Sequence, residues 1–216
     1  MSTPIIERRH LRQPVKLQER AGDPDKKTIV GYASVYYDGT PESEYQLWDQ
    51  CCERILPGTF TRAIAEDDCR GLFNHDPNQV LGRTSAKTCR LFDDSKGLRY
   101  EIDPPDTQAG RDVITLLARG DVNGSSFSFQ VTDQVWRTED GIDIREIRGV
   151  KLYDVSPVTF PAYESTTAGV REDLHVAEAR QAHEAWKASQ DLAALQARQR
   201  RARALQVELE LDDRCD

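Results

Sequence analysis

The alternation of apolar and polar positions divides the chain into many short two-period segments followed by one long helical stretch. Pro14-Val15-Lys16-Leu17-Gln18 alternates, and Ala21-Gly22-Asp23-Pro24-Asp25 interrupts it. Thr28 to Tyr37 is β-branched and aromatic, which predicts a strand ended by Asp38-Gly39-Thr40-Pro41. Residues 41–54 are polar apart from Trp48 and two cysteines, and predict no element. At Thr59 the period lengthens, so that Thr59 caps a helix whose Phe60, Ala63 and Ile64 share one face. Leu72-Phe73 then approaches Asn74-His75-Asp76-Pro77, read as a histidine before an Asp-Pro turn, and Val80-Leu81 resumes. Thr88 to Phe92 and Leu98 to Asp103 form an expected hairpin, which Pro104 and Pro105 stop. Residues 111–119 predict a helix started by Asp106 or Thr107 and ended by Gly120. After the Asp121-Val122-Asn123-Gly124 turn, Phe127, Phe129 and Val131 fall on one strand face and Ser126 and Ser128 on the other. A turn at Glu139-Asp140-Gly141 leads into a long segment, Ile142 to Thr159.

Roughly six or more strands with two helices between them predict an α+β arrangement, or a small barrel with helices packed outside. No Gly or Pro occurs from Val170 to Asp216, where Leu192, Leu195, Ala202, Leu205 and Leu209 trace a thin apolar stripe of a long helix. The basic run Arg198 to Arg203 reads as a solvated helix face, with contact to an acidic partner as the alternative. The expected division is 1–26 as an N-terminal extension or first strand, 27–169 as the main domain, and 170–216 as a helical tail.

Composition narrows the function classes. With 38% hydrophobic and 31% charged residues, 216 residues suit one packed domain with a wet appendage. A net charge of -8 argues against a general nucleic-acid binder. The five cysteines are odd in number and contain no CxxC, which suits neither a disulfide framework nor a zinc site; a reducing cytosol is expected, with no metal or cofactor. The N-terminus lacks an apolar export core, and no run approaches the roughly 18 apolar residues of a membrane span.

Candidate chemistry centres on His75, because histidine can exchange a proton near neutral pH without special arrangement. A hydroxyl nucleophile would need that base within hydrogen-bond reach. Ser126 lies just past a glycine turn, opposite the phenylalanine face; Ser128 shares its face, and Ser125 points with the phenylalanines. Gly124-Ser125-Ser126-Phe127-Ser128 lacks the second glycine of a nucleophile elbow. Ordinary patterning alone would leave both serines facing solvent and His75 structural.

The segments LFNHDPNQVLGRT, GLRYEIDPPDT with GRD, GSSFSF and LYDVSPVTFPAY stand in the order seen in the tailed-phage (Caudovirus) prohead maturation protease family, which the chain resembles from about Gly31 to Val170. The Asn-His-Asp motif and Gly-x-Ser-x-Ser also look like motifs of the herpesvirus assemblins. The resemblance implies a serine endopeptidase on a mainly antiparallel β-barrel flanked by helices, with His75 as general base and Ser126 as nucleophile. Assemblins use a second histidine, but none occurs between Ser126 and His175, so an acid is expected. Asp154 keeps the parity of Val150 and Leu152, which would aim its carboxylate inward; phage relatives tend to carry Glu or Asp at that position of the motif. Glu146 is the alternative, and Asp76 is disfavoured because a neighbour in sequence rarely reaches the far ring nitrogen. No counterpart of the assemblins' arginine-rich loop occurs in Ser156 to Thr167, so no oxyanion donor is identified.

The resemblance further implies action on the major capsid protein precursor or scaffold inside the procapsid, in the host cytoplasm. It also implies self-trimming, with the tail as a targeting or removable segment, an oligomerisation helix being its alternative. No nucleic acid or membrane is expected as a partner, and a homo-oligomer is compatible. Two competing readings are a catalytically inert capsid assembly scaffold that binds shell subunits through its C-terminal helix, and a cellular hydrolase of small esters.

Overall fold

The computed structural model describes residues 6–11, 14–20, 22–160 and 172–212, without the side chains of 172–175 and 204–212. The strands are β1 (Glu7–Leu11), β2 (Lys16–Arg20), β3 (Asp23–Val35), β4 (Tyr45–Trp48), β5 (Cys51–Ile55), β6 (Arg70–Phe73), β7 (Asp76–Arg83), β8 (Cys89–Asp93), β9 (Gly97–Ile102), β10 (Gly124–Glu139) and β11 (Ile142–Val158). The helices are α1 (Thr61–Glu66), α2 (Gln108–Arg119) and α3 (Glu172–Asp212).

One sheet runs β1-β10-β11-β5-β4, with β6 also pairing β11 and β7 pairing β6; the other runs β2-β3-β9-β8. Pairing is antiparallel except where β11 meets β5 and β6. The architecture is mixed α+β, and the described strands form two sheets with no closed barrel among them. β11 is the spine of the larger sheet. Its first half lies beside β5, and Asp154 and Val155 near its end lie beside β6.

β10 and β11 are joined by the expected tight turn, where Asp140 and Gly141 have φ of 50° and 82°. Both take the left-handed conformation that matches strand twist in a two-residue hairpin loop. The inner face of β10 builds the core: Phe127 stacks on Phe129 at 4.6 Å between ring centroids and meets Phe60 edge-on at 5.6 Å. Tyr100, Ile102, Ile29 and Leu81 are completely buried in the same cluster. The β8–β9 hairpin follows the sequence expectation, as does α2, where the Thr107 hydroxyl accepts from the Gly110 amide and Gly120 ends the helix at φ 83°.

Two expectations change. Thr59 caps no helix; its hydroxyl donates to the carbonyls of Leu56 (2.7 Å) and Ile147 (2.9 Å), and α1 starts later with Phe60 at its N-terminal boundary. Residues 41–54, which predict nothing by pattern, contain β4 and all of β5 but Ile55. The reason is that every residue of β5 is buried, charged Glu53 and Arg54 included, so no apolar-polar alternation survives.

Ala177–Asp216 forms a separate compact unit. The 41 residues of α3 make a rod of about 60 Å at 1.5 Å per residue. Leu192 and Leu195 on it are more than half exposed, and Arg198 to Arg203 face solvent, as a solvated helix face requires.

Because Phe127 is completely buried between two rings, truncation to alanine leaves a cavity as well as losing transfer energy. Phe127→Ala is expected to lower stability by about 3–5 kcal/mol. Phe127→Leu should cost far less, both read from denaturant midpoints.

Candidate active site

β6 and β7 are joined by a two-residue turn made of Asn74 and His75 themselves, with φ of 53° and 57°, closed by the Phe73–Asp76 pair. The turn is therefore not Asp-Pro, as the sequence suggests; Asp76 already starts β7, and its carboxylate accepts from the Asn78 amide at 2.9 Å. Asparagine tolerates the left-handed region because its short amide bonds locally, whereas histidine is held there at a cost of about 1–3 kcal/mol. The surroundings supply the restraint. Asn74 donates its backbone N–H to the Pro157 carbonyl at 3.1 Å, and its side-chain oxygen accepts from the Thr159 amide at 2.9 Å. The turn is thus tied to the end of β11, and the His75 ring is carried over that strand.

β10 and β11 supply the other groups. In the upper part of the hairpin Phe129 pairs with Leu152, and past an irregularity in the ladder Ser128 pairs with Asp154 and Ser126 with Ser156. One extra residue on β11 reverses which face its side chains take. Asp154 therefore leaves the parity of Val150 and Leu152 and joins the serine face. The sequence argument names the residue but for the wrong geometric reason, because a regular strand would have turned this carboxylate onto the phenylalanine side.

The result is a continuous hydrogen-bonded chain. His75 Nδ1 lies 2.6 Å from Asp154 Oδ1, and His75 Nε2 lies 2.6 Å from Ser126 Oγ. Ser156 donates its hydroxyl to Asp154 at 2.8 Å, and Ser128 Oγ approaches His75 Nδ1 at 3.1 Å. All of these side chains are buried, Ser126 completely. Burial alone would push the Asp154 carboxyl up, but hydrogen bonds from His75, Ser128 and Ser156 and the charge of His75 outweigh it and hold the group below the usual carboxylate range. An ionised Asp154 keeps the ring proton on Nδ1 and leaves Nε2 free to accept from the Ser126 hydroxyl. A hydroxyl, a base and an orienting carboxylate in this order can carry out nucleophilic acyl transfer.

The competing residues lie elsewhere. Ser125 Oγ meets the Tyr100 hydroxyl at 2.8 Å on the core side. Glu146 is taken by Arg137 at 2.7 Å and Arg148 at 3.1 Å. Cys51, Cys52, Cys69 and Cys89 are buried free thiols; burial pushes Cys51 and Cys89 up to about 12 and Cys52 up to about 11, and raises Cys69 as well, so none presents a thiolate near neutral pH. Among the described residues no group of three or more His, Cys, Asp or Glu is placed to hold a metal ion. Part of the stretch Ser156 to Thr167, where an oxyanion arginine was sought, lies outside the described residues. Sequence reasoning missed Ser156, although its spacing of two from Asp154 put it on the same face.

A model of the Caudovirus prohead serine protease family matches residues 14–180. The chain belongs to this family. It is accordingly a serine protease of phage capsid maturation, and the enzyme reading stands over that of an inert scaffold. The solved structure of the bacteriophage T4 capsid assembly protease aligns with it at 15% identity and a TM-score of 0.47, covering 74% of the protease chain and 100% of that chain. No curated protein sequence matches it.

The depressed Asp154 carboxyl links the site to pH. A carboxyl whose folded value lies below its unfolded one stabilises the fold above the unfolded value, near pH 4, and loses that contribution as pH falls through the folded value. Denaturant midpoints of wild type and Asp154→Asn should therefore differ most at neutral pH and converge as pH falls below about 4.

Proposed function

We propose that Ser126 is the nucleophile, His75 the general base and Asp154 the orienting acid of an endopeptidase that cuts the phage's capsid precursor inside the procapsid. The observation that carries this reading is the unbroken Ser126–His75–Asp154 chain, with 2.6 Å on either side of the ring. Nε2 takes the Ser126 proton as Oγ attacks the peptide carbonyl carbon. Asp154 holds the ring and balances the imidazolium that forms. The imidazolium then protonates the leaving amine as the acyl-enzyme appears, and the same nitrogen deprotonates the water that releases the acid. Ser156, donating to Asp154, fixes the carboxylate rather than touching substrate.

Family membership supports the capsid precursor or scaffold as substrate and the procapsid in the host cytoplasm as the place of action. We read residues 27–169 as the body of the protease, with 1–26 added before it. The tail 170–216 is read as a targeting or removable segment, which the enzyme itself trims.

Co-expression with the capsid subunit tests the reading, with the subunit's N-terminus sequenced before and after. Wild type should shorten it, whereas Ser126→Ala and His75→Ala should leave it intact while remaining folded. Cleavage retained by Ser126→Ala would overturn the assignment. Asp154→Asn should slow cleavage by about 10³–10⁴-fold through the wrong ring tautomer. A fluorophosphonate should inactivate the enzyme, whereas iodoacetamide at neutral pH should not, because the described thiols stay protonated. An unchanged C-terminus at Asp216 in enzyme recovered after assembly would count against self-trimming.

A further inference from the structure

β11 changes partners along its second edge. On the side away from β10 it pairs with β5 as far as Ile147 and with β6 from Asp154, and no described strand covers the residues between. One amide in this gap is taken by a side chain: Leu152 donates its backbone N–H to Asp67 Oδ2 at 2.7 Å. Leu152 is only 2% exposed, so water offers no alternative acceptor.

Asp67 is itself firmly held. It is the residue at which α1 ends: its own N–H donates to the Ala63 carbonyl at 2.9 Å, and its backbone turns extended at φ −90° and ψ 144°. Ala63 of that helix belongs to the core, and the next residue, Asp68, binds Arg83 of β7 at 2.8 Å. The carboxylate therefore reaches β11 from a fixed base, three residues before Arg70 opens β6.

The bond falls two residues ahead of Asp154, on the near side of the ladder irregularity that puts this carboxylate on the serine face. The extra residue of the irregularity is Tyr153, and an extra residue can settle at any position whose amides stay satisfied. Two restraints bracket it. Asp67 holds Leu152 before it, and Arg70 of β6 pairs with Asp154 after it. With Asp67 truncated, the Leu152 N–H is left buried without its acceptor, a state that folded proteins rarely keep. The strand relieves it by turning the peptide, and Asp154 moves with the strand. A shift of about 1 Å in a reacting group costs up to about 10²-fold in rate.

Resting on the Ser126–His75–Asp154 reading above, we propose that Asp67 is a positioning residue of the protease: by fixing Leu152 it holds the Tyr153 irregularity in place, and with it Asp154 against His75 Nδ1. Asp67 touches neither substrate nor the reacting atoms. What it supplies is an acceptor oxygen rather than a charge, so an amide in its place can serve.

The test compares Asp67→Ala, Asp67→Asn and Asp154→Asn in the full chain, with the capsid subunit as substrate. Asp67→Ala should lower kcat about tenfold with KM unchanged, and Asp67→Asn should recover most of that loss. Added to Asp154→Asn, Asp67→Ala should cost less than about twofold more, because the carboxylate it positions is already gone. The proton that His75 Nδ1 shares with Asp154 should give a downfield NMR resonance in wild type and Asp67→Asn, displaced or lost in Asp67→Ala. Wild-type kcat in Asp67→Ala would overturn the proposal. So would a tenfold loss repeated in full on Asp154→Asn with the Nδ1 resonance of Asp67→Ala unmoved, which is what a merely structural role produces. Should Asp67→Ala fail to fold, Asp67→Glu, which keeps the charge and displaces the oxygens by one methylene, is read the same way. Unslowed cleavage by Asp154→Asn would fail the acid assignment and this proposal with it; a slow Asp154→Asn beside a fully active Asp67→Ala fails this proposal alone.

Discussion

The register of β10 on β11 governs both the core and the chemistry. On one side of β10, Phe127 and Phe129 fill the centre of the body; on the other, Ser126 and Ser128 look toward His75. These opposite demands are met by a single strand because side chains alternate every residue. β11 cannot do the same with a regular ladder, since Leu152 and Val155 both belong to the core and stand an odd number of residues apart. The irregularity between them resolves the conflict and turns Asp154 and Ser156 onto the serine face together. The His75 turn, tied by Asn74 to Pro157 and Thr159, is indexed to the same end of β11. His75, Asp154 and Ser126 are thus fixed by one strand pair and one turn docked on it.

How much of this was legible depended on whether the local pattern was also the tertiary one. Strand β10, the β8–β9 hairpin and α2 were legible because their alternation and caps survive in the fold. The role of β5 was not, because Glu53 and Arg54 are buried by partners distant in sequence, and a charged residue reads as surface until those partners are known. β1 was hidden for the same reason: its inward-facing positions include Glu7 and Arg9, which look solvated in one dimension. The turn at Asn74-His75 was missed because the adjacent Asp76-Pro77 carries the stronger turn signal, and the tether of Asn74 to β11 is not local in sequence.

Asp154 was named from a strand geometry that the pairing of β10 and β11 does not follow. Parity counted from Val150 and Leu152 points it inward, and inward is where it lies, but on the opposite face. A ladder irregularity is invisible to a count of positions, because it is set by the competition between core packing and hydrogen bonding across two strands.

Ser126, His75 and Asp154 are buried together. On the assignment proposed above, the 2.6 Å separations of His75 from Ser126 and Asp154 place the three groups within reach for acyl transfer. Access is what the resting molecule lacks.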